Sequence, residues 1–329
     1  MAQLHQTSAW AAFHRRLGYS VFEASGDGWR YVAIRMGGNT WPYLYCPDGP
    51  EATTPSAFEF ALSHLTRTAR EHKCWFIRIE PDAIAITDGP ESPEDSLRRR
   101  GFRRSPHQER PSYTRIIDLT QDVSSILQDM DATNRTLYRN IHKKGVTFTA
   151  SRDPDDLRIL LPFYDAVAAH GGFARRNDEY LRSQAQTMMP LGMAILYVAW
   201  LNENPIGAML VFDTNDTRSY VHSAMDFEHR KLNAGKPLLV RIILDAKAKG
   251  LTKFDFWGSA PPNAGPEHKW YGFSQFKKTF GGHLVHAPGA WDLPLLPGRY
   301  GVYGVACAFR KQIHRDVQVR NERPRIKRP

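Results

Sequence analysis

Two stretches of this chain carry the same order of elements, strand, strand, helix, strand, and that repetition limits the possible folds more than any other feature. The first stretch predicts strands at Tyr31-Val-Ala-Ile-Arg35 and Pro42-Tyr-Leu-Tyr-Cys46, a helix from Ser56 to Glu71, and a strand at Cys74-Trp-Phe-Ile-Arg-Ile79. Within that helix Phe58, Ala61, Leu62, Leu65 and Ala69 recur at the spacing of one helical face. In the second stretch, Ala194-Ile-Leu-Tyr-Val-Ala-Trp200 and Pro205-Ile-Gly-Ala-Met-Leu-Val-Phe212 flank the turn Asn202-Glu-Asn204 and predict a hairpin. A strand at Arg218-Ser-Tyr-Val-His-Ser-Ala224 follows the turn Asp213-Thr-Asn-Asp216. A helix from Lys236 to Lys249 then aligns Leu238, Leu239, Ile242, Ile243 and Ala246, and Gly250 suits the position just past its end. The strand Lys253-Phe-Asp-Phe-Trp257 closes the unit. The pattern predicts an α/β protein with mixed sheets in two tandem modules, and no low-complexity linker separates them.

A length of 329 residues agrees with two domains. No run of about 18 apolar residues occurs; the nearest candidate, Trp291 to Phe309, is interrupted by Pro294, Pro297, Gly298 and Arg299. The first ten residues lack a basic and then apolar leader. Three scattered cysteines, Cys46, Cys74 and Cys307, with no CxxC pair, argue against a disulfide framework or a zinc site and for the cytosol. The net charge of +10 is concentrated at one end. From Arg310 onward eight Lys/Arg stand against Asp316 and Glu322, so +6 lies in the last twenty residues. Such an end suits a polyanionic partner or simply keeps the protein soluble.

Between the modules, Val123 to Gly145 predicts one helix with Ile126, Leu127, Met130, Leu137 and Ile141 on its apolar side. Arg135, Arg139 and Lys143 fall at i, i+4 and i+8, either as a solvated face or as a stripe for tRNA phosphates. A further helix runs from Asp155 to His170. Gly171-Gly-Phe-Ala-Arg-Arg176 then interrupts it, as a lid or as a turn.

The chemistry-bearing segment is Tyr271-Gly-Phe-Ser-Gln-Phe-Lys-Lys-Thr-Phe-Gly-Gly282, downstream of Phe254-Asp-Phe-Trp-Gly258. Read as a strand, it places a lysine between aromatic residues beside a Gly-Gly, which suits the holding of a negatively charged oxygen. An amphipathic strand with solvated lysines is the alternative. HExxH, GxSxG, GxxxxGK[ST] and GxGxxG are all absent, and His283 and His286 stand without further ligands. Hydrolase, kinase and dehydrogenase classes lose support, and no metal is expected.

The second module resembles the GNAT acyltransferase fold, in which a loop of the form Arg/Gln-x-x-Gly-x-Gly/Ala holds acyl-CoA pyrophosphate on backbone amides. Here the corresponding stretch reads His229-Arg-Lys-Leu-Asn-Ala-Gly-Lys236, with Asn233 at the first glycine position. More extensively, the chain resembles the FemABX family of non-ribosomal peptidyltransferases. The matching pieces are Trp10-Ala-Ala-Phe-His14, Tyr45-Cys-Pro-Asp-Gly-Pro50, Phe76-Ile-Arg-Ile-Glu-Pro81, Thr114-Arg-Ile-Ile-Asp-Leu119, Asn134-Arg-Thr-Leu-Tyr-Arg-Asn-Ile-His-Lys-Lys-Gly145, Phe254-Asp-Phe-Trp-Gly258 and Phe276-Lys-Lys-Thr-Phe-Gly-Gly282. No charged heptad pair lies between Ala194 and Gly258, which corresponds to the compact, FemX-like form rather than members with a coiled-coil arm.

The resemblance implies two tandem GNAT-like domains, residues 1–148 completed by 310–329, and residues 149–309. It implies transfer of an amino acid from aminoacyl-tRNA, with no other cofactor, to the stem peptide of UDP-MurNAc-pentapeptide or lipid II. An acyl-CoA-dependent N-acyltransferase of the GNAT fold is the alternative. By resemblance Lys277 supplies the positive charge, with Lys278 on the opposite face of the expected strand. Asp255 takes a proton, orients the acceptor amine or caps the strand end. Trp257 and Phe276 wall the site or fill the core. Tyr220 and Arg241 are candidate acceptor contacts, and Arg35 and Arg30 are candidates for the diphosphate. A monomer is expected, in the cytosol, with at most peripheral contact at the inner face of the membrane.

Overall fold

The structure, a computed structural model, describes residues 3–81, 86, 91–107, 111–171 and 175–322, with side chains as far as residue 309. The chain divides into a larger unit, Met1–Gly18 with Pro111–Ala287, and a smaller unit, Tyr19–Arg110 with Pro288–Pro329.

In the smaller unit β1 (Val21–Gly26), β2 (Trp29–Met36) and β3 (Tyr43–Cys46) form an antiparallel meander, and β4 (Glu51–Ala52) pairs with β2. Helix α2 (Pro55–Glu71) starts on the Thr54 hydroxyl, which accepts from the Ala57 amide at 3.1 Å, with Pro55 pre-set for a first turn. It returns the chain to β5 (Phe76–Ile79), which runs parallel to β3. Beyond α3 (Pro93–Arg99), the short β6 (Arg103–Arg104) pairs with a strand from the chain's far end, β14 (Trp291–Pro294), which also pairs with β5. Trp291 is fully buried there. Beside it the Arg78 guanidinium binds both Asp292 carboxylate oxygens, at 2.7 and 2.9 Å. Helix α10 (Pro297–Glu322) buries Tyr300, Tyr303 and Cys307 on the same sheet's aromatic layer.

The larger unit repeats this plan. Helix α1 (Ser8–Arg16) opens it. Strands β8 (Val146–Ser151), β9 (Ala194–Leu201), β10 (Asn204–Asp213) and β11 (Thr217–Met225) form an antiparallel series. The β9–β10 turn is made by Asn202 and Glu203, both in left-handed conformations as a tight hairpin requires. Helix α8 (Gly235–Ala248) leads to β12 (Lys253–Gly258), parallel to β11. On the far side of β12 lie β7 (Tyr113–Asp118) and β13 (His283–His286). Helices α4 (Val123–Asp129), α5 (Ala132–Asn140), α6 (Leu157–Gly171), α7 (Asp178–Met188) and α9 (Tyr271–Lys278) complete the unit. Leu238, Leu239, Ile242, Ile243 and Ala246 of α8 are all buried against the sheet, as their spacing predicts.

Two tandem mixed α/β modules are therefore present, but their boundaries differ from those expected. Residues 111–148 belong with the C-terminal module because β7 is hydrogen-bonded to β12 and β8 to β9. The N-terminal helix joins the same module through Phe13, edge-on to Tyr180 at 4.9 Å. Residues from 288 onward return to the other module because β14 completes its sheet. The expected role of 310–329 lies outside the described side chains.

Two helical expectations also change. The predicted single helix from Val123 to Gly145 breaks at Met130-Asp131. There the Asp131 amide turns to the Thr279 carbonyl at 2.9 Å, and the Asn134 amide group donates to the carbonyl and hydroxyl of the same Thr279. The segment read as a strand around Lys277 is α9, a helix of eight residues. Phe276 in its last turn meets Phe280, just past its end, at 5.2 Å between ring centres, the i, i+4 spacing of a helical turn. In the interrupting stretch after α6, residues 172–174 lie outside the described residues.

Candidate functional site

The site begins where two parallel strands part. β11 and β12 pair only over Thr217↔Lys253, Arg218↔Phe254 and Ser219↔Asp255. Beyond that point β11 continues along β10 to Met225, with one extra residue between Tyr220 and His222. β12 instead shifts register against β7, so that Gly258 faces Thr114. The shift centres on Trp257, which adopts φ +62, an uncommon value for so bulky a residue. Asp255 holds this turn in place. Its carboxylate accepts from the Trp257 amide at 2.7 Å and from the Thr114 hydroxyl, which also lies 2.9 Å from the Trp257 carbonyl. Asp255 therefore acts as the cap of the strand end.

Lys277 reaches this point from α9. It is 8% exposed, and its ammonium donates to the Gly258 carbonyl. Burial lowers its pKa from 10.5 to about 8, while the negative charge of Asp255 opposes that fall. The neighbouring Lys278 is exposed. The two lysines are thus inequivalent, as expected, but through the 100° step of a helix rather than strand alternation. Helix α9 is fixed at both ends. Ser274 accepts from the Ala260 amide at 2.7 Å and donates to the Trp270 carbonyl at 2.8 Å. At the other end Gly281 and Gly282 both have positive φ, and a Cβ on Gly282 would lie 2.3 Å from the Ile116 carbonyl oxygen. Gly282 thus admits the backbone of β7 and Gly281 lies close against Asp129 of α4, while Arg115 donates to both glycine carbonyls.

Several other expected residues gather nearby. Phe256, on the buried side of β12, touches Phe280 and, edge-on, Tyr220. Phe276 is half-buried against the same core cluster. The Tyr220 hydroxyl donates to Ser223 at 2.6 Å, and burial pushes its pKa up to about 12. Tyr220 and Phe276 thus support the site from the core.

The remaining candidates are placed elsewhere. Arg241 is more than half exposed and pairs with Asp245 one turn on, at 2.9 Å. Arg35 and Arg30 belong to the smaller unit. Burial pushes the pKa of the Cys74 thiol up to about 11, outweighing the charge of Arg35, which lowers it, and Arg30 binds Glu51 at 2.5 Å. The basic stripe is not continuous. Arg135 folds back to donate to the carbonyls of Leu127, Gln128 and Met130 at the end of α4. Arg139 is exposed on α5, and Lys143 lies in the 3-10 turn Ile141–Lys144, out of phase with it.

Three features near the site carry no local sequence signal. The Ser259 hydroxyl, next to the carbonyl that holds Lys277, is buried with no hydrogen-bond partner among the described residues. Trp257 meets the His5 ring at 5.4 Å, and His5 in turn meets Trp10 at 4.2 Å. The chain of rings continues through His14, whose pKa falls to about 4 through burial, to Phe13 and Tyr180, over which Arg176 sits at 4.9 Å. His222 is likewise buried and held near 4, between Tyr164 and Gln184. Both histidines are neutral at physiological pH.

At the start of α8, Asn233 takes the left-handed conformation (φ +53). Pro237 removes one of the amides a helix start presents, and the Lys236 amide already bonds the Asn233 carbonyl at 3.3 Å.

Residues 130–271 match the Acetyltransferase (GNAT) domain family, a span that ends at the first residue of α9. No curated protein matches the chain by sequence. Among solved structures the chain is similar to FemX, with a TM-score of 0.81, 17% identity, and 92% of this chain and 94% of that one covered. It is similar to the C-terminal domain of a protein assigned as a lysylphosphatidylglycerol synthetase in Agrobacterium fabrum (TM-score 0.61, 13% identity, 92% and 93% covered). A tandem GNAT protein from the clavulanic acid biosynthesis pathway shares the fold at a TM-score of 0.52 (15% identity, 84% and 83% covered). The chain thus has the tandem GNAT fold in its FemX-like form, and the domain match and fold together support an acyltransferase.

Proposed function

We propose that this protein transfers an amino acid from aminoacyl-tRNA to the stem peptide of a peptidoglycan precursor, UDP-MurNAc-pentapeptide or lipid II, in forming an interpeptide bridge. One observation carries the reading: a buried lysine, Lys277, anchored on the Gly258 carbonyl at the point where β11 and β12 part. An aminoacyl ester is already activated, so the reaction needs orientation and charge stabilisation more than covalent catalysis. The acceptor amine attacks the ester carbonyl carbon and forms the new C–N bond. The carbonyl oxygen gains negative charge, which the Lys277 ammonium stabilises. The intermediate collapses with loss of the C–O bond, the tRNA ribose hydroxyl leaves with a proton, and the amine gives up one of its own. Asp255 shapes the turn that presents Gly258 to the lysine and so acts as a positioning residue. The tRNA itself is the co-substrate, and no further cofactor enters this scheme.

A second reading, acyl transfer from an acyl-CoA, is favoured by the GNAT match over residues 130–271. The residues at the start of α8 favour the first. Asn233 and Pro237 stand where a pyrophosphate would draw on glycine backbone and free amides. The two readings separate when purified protein is offered a pool of aminoacyl-tRNAs or acetyl-CoA, with each precursor as acceptor. Mass gain on a precursor from the tRNA pool alone supports the proposal, and gain from acetyl-CoA alone replaces it.

Among the described residues no helix is long and apolar enough to cross a membrane. A lipid-held acceptor would therefore be met at the membrane surface by the described part of the chain.

A further inference from the structure

Among its described side chains, as far as Phe309, helix α10 has two apolar faces, one buried and one exposed. Tyr300, Tyr303 and Cys307, spaced i, i+3 and i+7, are buried against the smaller unit's sheet. Val302, Val305 and Phe309 repeat that spacing two residues out of phase, and they are 64%, 67% and 70% exposed. Leu296, just ahead of the helix, adds a fourth large exposed apolar side chain. From Tyr300 to Phe309 the sequence is Tyr-Gly-Val-Tyr-Gly-Val-Ala-Cys-Ala-Phe, without one charged or hydrogen-bonding group on the outer side. An ordinary surface helix carries polar residues on its outer face. Cations flank the stretch, with Arg299 before it and Arg310 and Lys311 directly after, the first two residues of the +6 end of the chain.

We infer that the outer face of α10 docks on an anionic lipid surface, with Val302, Val305 and Phe309 entering the boundary between headgroups and acyl chains. A helix that lies in a bilayer interface combines a bulky apolar face with adjoining Lys/Arg, and its binding joins apolar burial to attraction by acidic lipid. Charge complementarity selects this partner: eight basic residues against two acidic ones follow the apolar face directly. RNA would satisfy the cations but would leave Val302, Val305 and Phe309 in water. The inference concerns residues of the smaller unit, whereas Lys277 belongs to the larger one, and it does not depend on the transfer reaction.

The test is co-sedimentation of the full chain with vesicles of phosphatidylcholine alone, and of phosphatidylcholine with about one-third phosphatidylglycerol. Wild-type protein, V305S/F309S and V302S/V305S/F309S are compared, with circular dichroism as the check on folding. All three side chains face solvent, so the substitutions should leave the fold intact. Expected is partition of wild type into the acidic vesicles, weakened by salt, and a loss of roughly tenfold or more in the folded variants. Wild type that ignores acidic vesicles, or folded variants that partition as wild type does, would overturn the inference. So would equal retention of wild type and variants on immobilised total tRNA with no vesicle binding, which would make the basic end a nucleic-acid arm.

Discussion

At the scale of single residues, burial of the Lys277 ammonium costs the fold stability. Its pKa of about 8 means that between about 8 and 10.5 the unfolded chain binds more protons at this site than the folded one does. Burying the ammonium therefore lowers stability at neutral pH, and part of that loss is recovered as pH rises through this window. A purely structural lysine would show the reverse: its removal would destabilise. Lys277→Met is accordingly predicted to lower the transfer rate by about 10²–10³-fold while leaving the melting temperature unchanged or higher. Lys278→Met, on the exposed neighbour, should alter neither. If the ammonium stabilises the oxyanion, the wild-type rate falls as pH rises through about 8, where Lys277 loses its proton. A rate that climbs through that pH instead would make the neutral amine the active form. At this scale the sequence was partly legible. A lysine between aromatic residues marked the group, whereas its true partner, the Gly258 carbonyl nineteen positions away, depends on a turn that no local pattern announces.

Among the elements, the two strand–helix–strand cores were readable because their apolar spacing is regular and their turns carry Asn, Asp and Gly. Helix α9 was misread for an identifiable reason. The aromatic residues weigh toward a strand by propensity, yet the Ser274 hydrogen bonds hold a helix. Likewise nothing within 123–145 marks a break, because the break is made by Thr279 from elsewhere in the chain. Arg135, read as part of a phosphate stripe, closes α4 instead. Arg135→Ala is predicted to cost about 1–3 kcal/mol in denaturant unfolding, with little effect on the salt dependence of tRNA binding. A steep loss of tRNA affinity in a variant of unchanged stability would return Arg135 to the stripe. Gly282→Ala should be far more damaging. A Cβ there meets the Ile116 backbone at 2.3 Å, and the position also needs positive φ, so the variant is expected to lose both stability and transfer.

For the whole molecule, the sequence carried the tandem plan but not the assignment of chain ends to modules. Boundaries fell elsewhere because three segments pair with strands remote in sequence: β7 with β12, β8 with β9, and β14 with β5. The bond joining Arg78 to Asp292 spans 214 positions and is buried at both ends, with Tyr300 and Tyr303 hydrogen-bonded to the pair. Asp292→Ala would leave the Arg78 charge buried and uncompensated, at about 3–5 kcal/mol. Loss should appear in the smaller unit first, as hydrogen exchange in β5 and α10. Uniform protection in that variant would contradict this division of the chain.

The most direct test of the account is transfer of labelled amino acid from a mixed aminoacyl-tRNA pool to UDP-MurNAc-pentapeptide and lipid II, offered separately, with Lys277→Met run beside wild type. The account predicts label on one acceptor with wild-type protein and its loss with the folded variant. No transfer to either acceptor from folded wild type, or equal transfer by both proteins, would contradict it.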